Sequence, residues 1–132
     1  METKNQNIIY KDLTYKIIGI CYDIFYELGH GHKELYYKNA LALVLGKEKM
    51  KYQREIYAPL IYKNHKVGKY FFDFLVENKI VLEIKRGDRI SQRDIKQLYG
   101  YLKSKNLKLG LIIRFTSKGV VAKRVVNLKS VN

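Results

Sequence analysis

Cysteine is almost missing from this 132-residue chain. One thiol, Cys21, excludes an internal disulfide and fits a reducing compartment. It falls on the apolar stripe of an expected helix, which makes it core filler. Proline is as scarce: Pro59 stands alone in a strand-like stretch and belongs at a sheet edge or an interruption. No apolar run approaches the ~18 residues of a membrane-spanning helix. The opening METKNQNIIY lacks the basic-then-apolar pattern of a signal peptide. The expectation is a soluble cytoplasmic protein with no membrane partner. Acidic residues are few, 12 against 26 basic ones, for a net charge of +14. Such a field attracts polyanions, nucleic acid or an anionic membrane surface. The plainer reading is a lysine-rich composition, since lysine is spread along the whole chain. No basic block forms a tail, so a basic patch has to be assembled by the fold.

What is present fits a folded globular chain, 47% hydrophobic and 29% charged. We read 1–132 as one domain, with residues 1–10 a loosely ordered lead-in. From Asp12 to Leu28 apolar residues recur every three or four positions, an amphipathic helix with Asp12 as N-cap and Gly29 as stop. A second helix runs from about Lys33 to Leu45, ending near Gly46. The period then changes. KYQREIYAPLIY and VGKYFFDFLVE read as strands around the turn KNHK, and KIVLEIKRG as a third, after the tight connection ENK. Ser91 and Asp94 open a third helix in the manner of a capping box, and Asn106 ends it. KLGLIIRF, apolar almost throughout, reads as a strand buried on both faces, and GVVAKRVVNL as the last strand. The order ααβββαββ implies an α/β fold with a mixed sheet flanked by helices, because a strand–helix–strand unit brings parallel pairing.

The hairpin concentrates the chemistry. Alternation predicts Tyr70, Phe72, Phe74 and Val76 on one face, with Phe71, Asp73, Leu75 and Glu77 on the other. On the next strand Ile80, Leu82 and Ile84 oppose Val81, Glu83 and Lys85. A three-residue turn, Glu77 to Lys79, pairs Val76 with Ile80 and sets Asp73 opposite Glu83, with Lys85 beside them. A two-residue turn would separate the carboxylates. Opposed carboxylates with Cβ atoms ~5 Å apart repel. Mg²⁺ offsets this well, and a lysine beside the pair suits charge developing on a phosphate. The alternative is a solvated strand face; against it, both acids lie within apolar segments, where an ionised group is costly unless paired or metal-bound.

His30 and His32 are the other metal candidate. A structural zinc site wants four ligands, and only Cys21 and His65 remain, neither at a matching spacing. A loop entering the second helix is the better reading. Glu34, in that helix's first turn, is an acid favoured there by the helix dipole, a surface charge, or, since it falls near one stripe with Tyr37, Leu41 and Val44, a carboxylate directed toward the sheet.

Asp73, followed by Glu83-Ile84-Lys85, resembles the D…(D/E)-x-K signature of the PD-(D/E)XK nuclease superfamily. Gly31, Glu34 and Tyr37 spell G-x-x-E-x-x-Y and resemble the GxxExxY protein family, a branch of that superfamily. The likeness continues through QRE at 53–55, FDFLVENKIVLEIK at 72–85 and QLYGYLK at 97–103, covering roughly residues 10 to 127. The resemblance implies a restriction-endonuclease-like core and a Mg²⁺- or Mn²⁺-dependent nuclease acting on DNA, or on RNA, through a metal-activated water. Asp73 and Glu83 would be metal ligands, with the Ile84 carbonyl a third and Glu34 completing the acidic cluster. Lys85 would position or activate the water. Gln97 and Tyr101 reproduce the Q-x-x-x-Y of lambda-type exonucleases. Two positions depart from the pattern: Phe72 replaces the proline before the aspartate, and the basic residue frequent near Phe71 is missing. Arg93, Lys96, Lys103 and Lys105 on the third helix, with Arg86 after the E-x-K strand, are candidate phosphate contacts; a solvated face explains them equally. The rival readings are a non-catalytic nucleic-acid-binding module in the same basic cleft, an accessory subunit of a repair or defence complex, and a homodimeric Holliday-junction resolvase.

Overall fold

Apolar residues at three- and four-residue intervals build α1 (Lys11–Leu28) and bury Ile17, Ile20, Cys21 and Ile24. The computed structural model describes residues 8–129. Asp12 lies inside the first turn and does not cap the helix; Tyr10 is the N-cap, in a left-handed conformation and without a side-chain bond. Of the expected loose lead-in, residues 1–7 lie outside the described residues. Ile9 and Tyr10 pack against the core, and Arg124 donates to the Ile9 carbonyl. Gly29 ends the helix at φ 79°, a conformation that favours glycine.

The remaining elements are α2 (Glu34–Lys47), β1 (Tyr52–Tyr62), β2 (His65–Val76), β3 (Ile80–Arg86), α3 (Gln92–Lys105), β4 (Leu109–Thr116) and β5 (Gly119–Val126). The order ααβββαββ is as expected, and α2 runs on past Gly46 to Lys47. The five strands lie in the order β1-β2-β3-β4-β5, antiparallel except for the β3–β4 pair that α3 connects. Pro59 sits on edge strand β1, one residue before a register shift between Leu60 and Ile61. β4 is buried on both faces, as its composition requires.

Two apolar clusters sandwich the sheet. On one side α1 and α2 cover Phe74, Val76, Ile80, Leu82 and Ile84 together with β4 residues. On the other, Leu98, Tyr101 and Leu102 of α3 meet Phe72, Val81, Ile112 and Val125. Ser91 caps α3 by accepting the Asp94 N–H at 3.4 Å, and Asn106 ends it in the left-handed region. Gly110 is where α3 comes closest to β4: a Cβ there would stand 2.7 Å from a Leu98 methyl.

The hairpin keeps its predicted register but not its predicted faces. Val76 pairs with Ile80, Leu75 with Val81 and Phe74 with Leu82, so the turn has three residues. Phe72 and Tyr70 pack on the α3 side, whereas Phe74 and Val76 pack on the α1–α2 side. The alternation breaks at Asp73, where the β1 residue between the Arg54–Phe74 and Ile56–Phe72 pairs, Glu55, has φ 58°. The pairing stays in register here, its shift lying further along between Leu60 and Ile61, so the left-handed backbone at Glu55 accompanies the change of face without an inserted residue. Glu77 does not share a face with Asp73 either. It occupies the turn at φ 55° and accepts the Lys51 N–H at 2.6 Å.

Candidate active site

The loop HGHK and the first turns of α2 work as a latch. Gly31 takes φ 90°, and Tyr37 is fully buried, its ring stacked on Phe115 at 4.1 Å and parallel within 7°. The Tyr37 hydroxyl donates to the Gly29 carbonyl (2.7 Å), and the His32 N–H lies 3.3 Å from its oxygen. His32 Nε2 sits 2.8 Å from the Leu28 carbonyl, so the ring belongs to the loop. Glu34 is left on the face toward the sheet, where it accepts the Arg86 N–H at 3.2 Å. Arg86 returns a bond from its guanidinium to the His32 carbonyl (3.3 Å) and is exposed.

The β2–β3 ladder stops at Phe74–Leu82, one rung before the two acids. In the fork that opens there, Asp73 Oδ2 accepts the Ile84 N–H at 2.7 Å. A strand residue's N–H and C=O leave the same edge, so the Ile84 carbonyl also faces the fork. Asp73 and Glu83 have side chains 12% and 16% exposed. Burial, and after it the charge of Asp73, push the Glu83 carboxyl up to about 8, against the pull of Lys85 and Lys38. Glu83 Oε1 is buried without a hydrogen-bond partner. Lys85 Nζ stands 3.8 Å from Glu83 Oε2 and 3.9 Å from Asp94 Oδ2, held between the strand acid and the first turn of α3.

Sequence reasoning missed two residues of this cluster, Asp94, read only as part of the α3 cap, and Lys38. Lys38 Nζ lies 2.8 Å from Asp73 Oδ1. Burial works against its charge, but the hydrogen bond and charge of Asp73, with Glu34 and Glu83 beyond, outweigh it and raise the Lys38 pKa. The available signal was the Glu34–Lys38 spacing of four, which puts both on one helix face.

Gln97 and Tyr101 follow Asp94 along α3. Tyr101 is 8% exposed and packs on Phe72, with ring centroids 5.0 Å apart; no hydrogen bond or ion pair joins it to Asp73, Glu83 or Lys85 among the described residues. Gln97 is half-buried. Arg93, Lys96, Lys103 and Lys105 are exposed, and the Lys103 ammonium lies over the Tyr99 ring at 5.4 Å.

Among the described residues no three carboxylate, imidazole or thiol side chains gather as a metal-ligand set. A hard divalent cation that keeps several waters needs only one or two carboxylates. Asp73 and Glu83 fit that requirement: one Glu83 oxygen has no partner, and an ammonium neutralises Asp73 where a cation would bind.

A family model described as the PD-(D/E)XK nuclease superfamily matches residues 11–128. No curated protein sequence matches the chain. A solved structure described as the crystal structure of SSO0001 is 16% identical, with a TM-score of 0.48, over 92% of this chain and 79% of that one.

Proposed function

This chain belongs to the PD-(D/E)XK nuclease superfamily, and we propose that it is a divalent-metal-dependent nuclease of the GxxExxY branch that hydrolyses DNA phosphodiester bonds. The observation that carries this reading is the fork between β2 and β3, where two half-buried carboxylates and a lysine converge on a broken ladder. Asp73, Glu83 and the Ile84 carbonyl would hold Mg²⁺ or Mn²⁺. When bound, the ion supplies Lewis-acid polarisation of the phosphate and lowers the pKa of water.

The chain's own residues supply the rest. Lys85, fixed between Glu83 and Asp94, presents an ammonium to the attacking water and to negative charge on the phosphoryl oxygens. Glu34 fixes the end of β3 through the Arg86 N–H and contributes negative charge near Lys38. Tyr101 braces Phe72, the residue before Asp73, and thereby positions that carboxylate. Gln97 and the α3 cations Arg93 and Lys96 flank the approach of the nucleic-acid backbone. The single buried thiol, Cys21, fits a reducing, cytoplasmic setting. No helix of the described residues is long and apolar enough to cross a membrane.

Purified protein with Mg²⁺ or Mn²⁺ is expected to nick or degrade DNA, and Asp73→Ala or Glu83→Ala to abolish the activity. Cleavage that survives both substitutions overturns the assignment. Absence of product with every metal, together with salt-sensitive DNA binding, would indicate a binding module. Comparing four-way junctions, linear duplex and single strands tests the resolvase reading.

A further inference from the structure

Asp73 forms part of the wall of a second feature, a pocket of about 270 Å³ on the surface outside the fork. Its other walls are Leu35 and Lys38 of α2, Arg54 and Glu55 of β1, and Phe71 and Phe72 of β2. Two large apolar side chains stand open to solvent at its rim, Leu35 at 54% and Phe71 at 48% exposure. Neither is core, and nothing in the catalytic reading uses them. Phe71 is backed by Tyr57, its cross-strand partner, in an edge-on contact with centroids 5.7 Å apart. Lys66 lies over the Tyr57 ring at 5.2 Å. By strand alternation Lys69, two residues before Phe71 and also exposed, continues the same face. Polar groups line the interior: Arg54, which donates to Asn39 (3.0 Å) and lies over the Phe74 ring, and the carboxylate of Glu55.

We infer that this pocket binds one unpaired nucleobase of a DNA strand whose neighbouring phosphate lies at the Asp73–Glu83 fork. The inference rests on the nuclease reading of that fork and names its substrate class, single-stranded or locally unpaired DNA. Three features of the pocket select such a ligand. Its volume is just below the ~300–1,000 Å³ of drug-sized ligand sites, which suits a single ring system. Its exposed aromatic rim offers a face for stacking, an interaction open to every base. Within it Lys38 and Arg54 offset the carboxylates of Asp73 and Glu55, and Lys66 and Lys69 along the arm match a polyanionic strand running up the β1–β2 hairpin. A base held inside a duplex cannot reach Phe71 without leaving its stack.

The test needs no catalysis. In metal-free buffer, a short single-stranded oligodeoxynucleotide carrying 2-aminopurine is titrated with protein, and a blunt duplex of the same sequence serves as the control. Binding of the single strand should quench the 2-aminopurine. Phe71→Ala should remove the quench and weaken single-strand binding about 5- to 150-fold, the range for loss of one base–aromatic stack. Phe71→Trp should keep both, Leu35→Ala should give a smaller loss in the same direction, and duplex affinity should change less than about twofold in all three. Equal losses on single strand and duplex, or no loss on either, overturn the inference. An RNA strand bound more tightly than DNA with the same Phe71 dependence overturns the assignment to DNA. A persistent, Phe71-dependent quench without cleavage in Mg²⁺ or Mn²⁺ sinks only the nuclease reading. Cleavage that is indifferent to Phe71 sinks only the pocket.

Discussion

Glu83 is held where a carboxylate is least at ease, 16% exposed, beside Asp73 and with one oxygen unpartnered. Its pKa rises from 4.5 to about 8 in the metal-free fold. Between those values the folded protein keeps a proton that the unfolded chain has released, so the native state binds more protons and stability falls as pH rises. The contribution is fully present below about pH 4.5 and is lost as pH passes through about 8. Glu83→Gln should remove that slope. Chemical denaturation in chelator is expected to find wild type and variant close near pH 5, wild type losing ground up to about pH 8, and a constant difference beyond. A difference that does not vary with pH would mean that Lys38 and Lys85 already neutralise Glu83 in the fold. The Asp73–Glu83 pair itself was legible in the sequence, because turn length fixes register and register fixes which residues meet. Lys38 was not, because its role depends on how α2 lies over the fork, and the helical spacing shows only that it shares a face with Glu34.

Elements read well where a local signal sets them and poorly where a neighbouring strand does. Ser91 at the start of α3, Asn106 at its end and the all-apolar β4 carried their own cues, and the structure keeps each. The switch of faces between Phe72 and Phe74 had none in β2; the backbone feature that accompanies it lies on β1, in the positive φ of Glu55. Gly110 gives the contact of α3 with β4 a measurable form. A Cβ at that position would meet three Leu98 atoms at 2.7 to 2.9 Å, on a fully buried side chain with little room to yield. Gly110→Ala is expected to cost about 1–3 kcal/mol by overpacking. In a Leu98→Ala background the same change should cost much less, giving a coupling energy well above the few tenths expected of independent sites. Additive losses in that cycle would show that the close approach is relieved by movement of the helix as a whole.

At the scale of the molecule the question is where a net charge of +14 meets a polyanion. Arg93, Lys96 and Lys103 are all exposed on α3, yet they are not equivalent. Asp94, in the first turn, lies 3.9 Å from Lys85, so that end of the helix adjoins the fork. Lys103 follows nine residues later, roughly 13 Å along the axis at 1.5 Å per residue, with its ammonium over Tyr99. On the proposed function, a strand whose phosphate reaches the fork is expected to pass the first two cations and not the third. For single-stranded DNA each phosphate contact contributes about −0.7 to the slope of log K against log salt. Replacing Arg93 and Lys96 with glutamine should therefore flatten the slope by about 1.4. Lys103→Gln, which removes charge only from the overall field, should lower affinity slightly at low salt and leave the slope close to wild type. Equal flattening by all three changes would show that the chain holds DNA through a diffuse basic surface, and the path past the fork would then have to be abandoned.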